Sequence, residues 1–165
     1  MAKTLEILVN PEPSLRKKSE KIKVSRITDE KTRGFVLDMV KTMKEKDGIG
    51  LAAPQVGKNI RLITVSAKDE VLVMFNPKII KRSFLKNWEE EGCLSVPFYF
   101  GEVKRHNSII CAFHDINGRE NKIRASGLLA RVIQHETDHL DGILFIDKAR
   151  GLKKIDEAEV EEIEK

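Results

Sequence analysis

Apolar residues first recur at helical spacing between Ile27 and Asp47, where Val36, Met39, Val40 and Met43 fall three or four apart. Asp29 and Glu30 stand early in that stretch and Gly48 closes it, which predicts a helix there. The period then changes. "RLITVS" (61–66) and "VLVMFNP" (71–77) are short β-branched runs separated by the charged turn "AKDE", as in two paired strands. "GEVKRHNSIICAFHDINGRENKIRAS" (101–126) reads as two strand-like arms around "DING", where Asn117 and Gly118 tolerate positive φ in a hairpin turn. Helical spacing returns from Gly127 to Asp141. Leu128, Leu129, Val132, Ile133, Glu136, His139 and Leu140 fall on one broad face, and Arg131, Gln134 and Asp138 on another. Ser126 stands as N-cap and Gly142 as the C′ residue. The tail, 149–165, reads as a charged helix with Leu152, Ile155, Val160 and Ile163 as a thin apolar stripe.

Composition narrows the class. A chain of 165 residues is of single-domain size and buries a substantial core, so one domain over 1–165 is expected. Its first twenty residues hold no run of signal-peptide type, and no stretch approaches the roughly 18 apolar residues of a membrane span. A soluble, cytoplasmic protein with no membrane partner is therefore expected. The 30 basic and 26 acidic side chains make a mixed surface with a net charge of +4. With one Trp, one Tyr, seven Phe and no zinc-finger spacing, no specific nucleic-acid partner is expected. Two cysteines, Cys93 and Cys111, exclude a disulfide scaffold.

The candidate chemistry lies in "QHETDHLDG" (134–142) on the second helix. Residues four apart on a helix stand one turn above each other, Cβ atoms about 5–6 Å apart, so His135 and His139 can converge on one cation. Glu136 points to a neighbouring part of the face, placed to act as general base on a water without having to ligate the ion. Both histidines continue the apolar stripe of Leu128 and Val132, and two buried imidazoles with a carboxylate are costly unless something satisfies them. A catalytic ion of this kind takes a third protein ligand and keeps a fourth position open. Downstream, the position three beyond Gly142 is Phe145 rather than a histidine, and Asp156, Glu157 and Glu159 lie in the charged tail. Upstream, Cys111 sits between Ile110 and Ala112 as a small buried hydrophobe would, whereas Cys93 stands in "EEEGCLSVP" among three acids and a glycine.

Three blocks, "GIGLAAPQVG" (48–57), "EGCLS" (91–95) and "QHETDHL" (134–140), together resemble peptide deformylases, the metallohydrolases that remove the formyl group from N-terminal formylmethionine. The likeness continues through "PEPSLRKKSEKI", "FNPKII", "HDINGRE" and "GILFIDK", over nearly the whole chain short of the tail. The resemblance implies an α+β fold, with antiparallel sheets around a central helix carrying His135 and His139, an N-terminal helix and a C-terminal helix. It implies Cys93, His135 and His139 as ligands of one divalent ion, iron(II) in the cell, with zinc, nickel or cobalt able to occupy the same ligands. It makes Glu136 the base and then the acid, and the Gln55 amide and the Leu94 backbone N–H the donors to the developing oxyanion. Gly50 is expected to let backbone approach the metal closely. Ile49, Val132 and the surroundings of Glu91 are expected to wall an apolar pocket for methionine, and the substrates implied are nascent formylmethionyl peptides.

Gly48-x-Gly50-x-x-Ala53 imitates a dinucleotide-binding turn, but that fingerprint follows a strand and opens a helix. Here a helix precedes it and Pro54 follows. Two features depart from the resemblance. Many bacterial members carry an arginine where this chain has Phe100. In some, a basic C-terminal helix docks on the ribosome, whereas residues 149–165 hold four basic and six acidic side chains, which argues against such a contact. The alternatives are an endopeptidase built on the same histidines, or a binding module that keeps the fold without the chemistry.

Overall fold

The computed structural model describes residues 1–156. Helix α1 (Glu30–Glu45) forms where the apolar spacing places it and buries Val36, Met39, Thr42 and Met43. Strands β1 (Gly50–Ala52), β2 (Leu62–Ala67), β3 (Glu70–Arg82), β4 (Lys86–Cys93), β5 (Val96–His106), β6 (Ser108–His114) and β7 (Glu120–Ser126) precede helix α2 (Gly127–Leu140), and β8 (Arg150–Lys154) follows it. All pairings between these strands are antiparallel: one sheet has the order β1-β2-β3-β6-β7 and the other β4-β5-β8.

Leu62, Ile63, Thr64 and Val65 of β2 are all buried, because the sheet is covered on both sides here. Leu51, Leu62 and Phe75 pack with Met39 and Met43 of α1 on one face. Ala52, Ile63, Val65 and Met74 pack with Ala130, Val132 and Ile133 of α2 on the other. A strand buried on both faces loses the alternation of a half-exposed one, and so "RLITVS" reads as a continuous run.

The hairpin around "DING" is β6–β7, in register from Ser108–Ser126 to His114–Glu120. Gly118 takes φ +74°, and the Asp115 carboxylate accepts from the N–H groups of Asn117 and Arg119. The first arm is shorter than expected. Residues 101–106 belong to β5 in the other sheet, and the chain changes sheets at Asn107.

Helix α2 packs against both sheets, which corrects the expected division of its faces. Arg131 and Gln134 are buried, and Leu128 is 62% exposed. The polar face lies on β4 and β5 with its bonds satisfied. Arg131 donates to the carbonyls of Val103 (2.9 Å) and Asn87 (3.2 Å), and Gln134 exchanges two bonds with the His106 backbone (3.1 and 2.9 Å). Ser126 occupies the N-cap position without a side-chain cap bond. Gly142 has φ +73°, and a Cβ there would stand 2.3 Å from the Arg16 carbonyl oxygen.

The tail is the other correction. Where a helix was expected from 149, Arg150–Lys154 pairs with β5, with Tyr99 opposite Lys154. The Arg150 guanidinium lies 3.8 Å from the Trp88 ring centroid and bonds Glu102 at 3.0 Å, which fastens the strand to β4 and β5. Residues 157–165, with the rest of the expected helix, lie outside the described residues.

Candidate metal centre

Cys93 is the last residue of β4, beside a register shift that follows Glu91, and Leu94 and Ser95 form the turn into β5. His135 and His139 stand one turn apart on α2, ring centroids 5.0 Å apart. Cys93 Sγ lies 3.3 Å from His139 Nε2. One ligand atom from each of Cys93, His135 and His139 falls within 4.8 Å of the others. Zinc-like bonds of about 2.0–2.3 Å bring three tetrahedral ligand atoms about 3–4 Å apart, so small adjustments close this cluster on an ion.

The orientation of His135 is fixed from outside the cluster. Its Nδ1 lies 2.9 Å from Glu91 Oε2, which leaves Nε2 for the centre. Glu91 in turn accepts two bonds of 2.9 Å from Arg105 and one of 2.7 Å from Arg131. Arg105 also reaches Asp138 at 2.5 Å, and Lys148 bonds the same carboxylate at 2.7 Å. Burial opposes the charge on Glu91, but bonds from His135 and Arg105 outweigh it and hold this carboxyl well below its usual range. Glu91, expected beside the substrate, therefore turns its carboxylate inward to hold His135.

Gln55 sits on the 3-10 turn Ala53–Val56 after β1. The Ala52 N–H donates to its Oε1 at 2.8 Å, which turns Nε2 toward Ser95 Oγ (3.1 Å) and Cys93 Sγ (3.5 Å). Glu136 is buried, and its Oε2 has no hydrogen-bond partner among the described residues. Burial pushes its pKa up to about 7. The expected close approach at Gly50 is to this side chain: a Cβ on Gly50 would stand 2.4 Å from Glu136 Oε1.

The residues fit a bound cation on their own chemistry. A thiol and two imidazoles converge beside an unpartnered buried carboxylate oxygen, a donor set that suits zinc, iron or cobalt. Burial, then the neighbouring His135, hold His139 well below its ordinary pKa, whereas burial of His135 is outweighed by bonds to Cys93 and Glu91 that push it up to about 10, so an ion must displace a proton from His135 on binding.

Ile49 and Val132 share one cleft of about 750 Å³, together with Leu72, Ile123, Leu128 and Leu129. Phe100 covers bare backbone next to Cys93, since a Cβ on Gly92 would stand 2.7 Å from its ring. Three contributors were missed in the sequence. Arg105 and Arg131 read as surface charges, and nothing local marks them as buried. Ser95 lies two residues beyond Cys93 in the "EGCLS" block, which was the one available signal.

The family model of polypeptide deformylase matches residues 4–155. A peptide deformylase of Dictyoglomus thermophilum is 47% identical over 138 residues, which is 84% of this chain and 88% of that protein. The crystal structure of a peptide deformylase from Synechococcus elongatus, in complex with actinonin, superposes with a TM-score of 0.84 at 39% identity, over 96% of this chain and 82% of that one. A Met-Ala-Ser-bound class I type b peptide deformylase from Acinetobacter baumannii gives 0.86 at 31% identity, over 90% and 99%. Matches of this length and identity, on a shared fold, decide the matter: the chain belongs to the polypeptide deformylase family, metal-dependent hydrolases that remove the N-terminal formyl group of polypeptides.

Proposed function

We propose that Cys93, His135 and His139 hold one divalent ion, iron(II) in the cell, where this chain, as one catalytic domain, deformylates the formylmethionine of newly made polypeptides in the cytoplasm. The observation that carries this reading is the convergence of those three ligand atoms beside the buried, unpartnered Glu136.

Held by Cys93, His135 and His139, a divalent ion would supply Lewis acidity and lower the pKa of a water beside it. Glu136 takes a proton from the attacking water, whose oxygen adds to the formyl carbon. The Gln55 Nε2 and the Leu94 N–H donate to the oxygen that becomes negative. Gln55 reaches it without reorganising, because Ala52 already fixes which end of the amide faces Cys93. As the carbon–nitrogen bond breaks, Glu136 returns its proton to the leaving amine, so that formate and a free N-terminus are released. Glu91 takes no part in these transfers and holds the His135 ring in place.

The methionine side chain enters the cleft lined by Ile49, Val132, Leu128 and Leu129. That a relative is solved with Met-Ala-Ser bound supports a peptide substrate. The endopeptidase alternative gains nothing from these relatives.

Cobalt(II) substitution tests the ligand set. The cobalt-loaded parent should show thiolate-to-cobalt charge-transfer absorption in the near ultraviolet, and Cys93→Ser should lose it. A band that survives in the variant would remove Cys93 from the ligands.

A further inference from the structure

We propose that the β6–β7 half of the five-stranded sheet carries, on the face away from α2, a sequence-independent site for the phosphodiester backbone of single-stranded RNA. Helix α1 covers this face only over β1, β2 and β3. Beyond it the strand register sets Lys78, Ala112 and Lys122 in one cross-strand row. Residues directly opposite share a face, so two lysines flank a single methyl group there. The neighbouring row, Ile79, Cys111 and Ile123, turns the other way into the core beneath α2.

The segment from Lys18 to Val24 walls this floor on one side. It is stapled in place: Asn76 accepts from the Ile22 N–H at 3.0 Å and donates to the Ile22 carbonyl at 2.9 Å. Ser19 N–H donates to the Leu140 carbonyl at 2.8 Å. The wall adds Lys18, Lys21 and Lys23, and the result is an open trough of about 1040 Å³. All five lysines are exposed, and none has an ion-pair partner among the described residues. The sixth cation of the lining, Arg61, is already paired with Asp141 at 2.8 Å.

Charge is concentrated here. Six basic and two acidic side chains line the trough. Taken from the chain's 30 and 26, they leave 24 of each sign, so the whole formal excess of +4 belongs to this one surface. Lysines act as point charges and follow phosphates presented at varied angles, whereas arginine forks would favour the flat carboxylates of an acidic peptide. Charge on both sides of an open trough tracks a strand. The choice of RNA among polyanions rests on the proposed action on newly made polypeptides, which arise on RNA. The trough shares no residue with the metal centre, so the two readings fail independently.

The test uses the full metal-loaded chain and a fluorescein-labelled uridine 15-mer, followed by anisotropy. Five phosphate contacts give a slope of log affinity against log salt of about −3.5, a roughly hundredfold loss between about 50 and 200 mM salt. The double variant Lys78→Glu with Lys122→Glu should bind at least tenfold more weakly, with deformylation of a short formyl peptide unchanged. The pair Lys31→Glu with Lys44→Glu, both exposed on α1, changes net charge equally and should retain affinity within twofold. Absence of binding by the parent at about 50 mM salt would overturn the proposal. So would equal losses in both double variants, or competition by poly-glutamate as effective as by RNA.

Discussion

Gly50 and Glu136 define the site at the scale of single residues. The glycine leaves room for the carboxylate to lie against bare backbone, and a methyl group at 2.4 Å from Oε1 would push it away. Gly50→Ala should therefore bind metal as the parent does while kcat falls by about a hundredfold, since displacements near 1 Å cost that much. Measured metal content beside kcat checks this, and normal turnover would free Glu136 of its role. The two cysteines should separate by reactivity. Cys111 is fully buried, and burial pushes its thiol up to about 11. Cys93 is partly exposed at the centre. In metal-free native protein an alkylating reagent should modify Cys93 first, and metal loading should protect it, as peptide mass mapping would reveal. The His135, Glu136, His139 constellation was legible in the sequence because helical spacing alone places those groups together. The inward turn of the Glu91 carboxylate was not legible, since its direction depends on Arg105 and Arg131, which are far from it in sequence.

Elements, in turn, explain how the side chains of the site are held. Helix α2 ends at Leu140, and the chain leaves it through Gly142, whose positive φ and contact with the Arg16 backbone both exclude a side chain. Gly142→Ala should cost at least about 1–3 kcal/mol, read by urea unfolding of the metal-free protein. Glu91 joins β4 to β5 through two charged bonds to Arg105, and to α2 through one each to Arg131 and His135. Glu91→Ala would strand buried cations and should cost about 3–5 kcal/mol. Glu91→Gln keeps the shape and should fold, with metal affinity lowered about 10–100-fold. Unchanged affinity in the glutamine variant would show that Glu91 serves packing alone. The helix periods and the β6–β7 hairpin were readable because their determinants are local. The assignment of 101–106 to the other sheet, and of Arg150–Lys154 to a strand, was not. Those follow from pairing with β4 and β5 and from the Trp88–Arg150 contact, which no local pattern encodes.

For the molecule as a whole, two sheets and a central helix meet at one point, and an ion held there by the proposed ligands would tie β4 to α2. Chelation should lower the melting temperature, and restoring iron(II) without oxygen should recover it, because a ligand bound only by the folded state stabilises it. The most direct measurement is formate release from formyl-Met-Ala-Ser by anaerobically prepared iron(II) protein, with Glu136→Gln at equal metal content as its companion. The parent should release formate stoichiometrically with free N-termini, and the variant should be slower by about 10²–10⁴-fold. Equal rates in the two proteins, or no formate from a fully loaded parent, would contradict the assignment of deformylation to this centre.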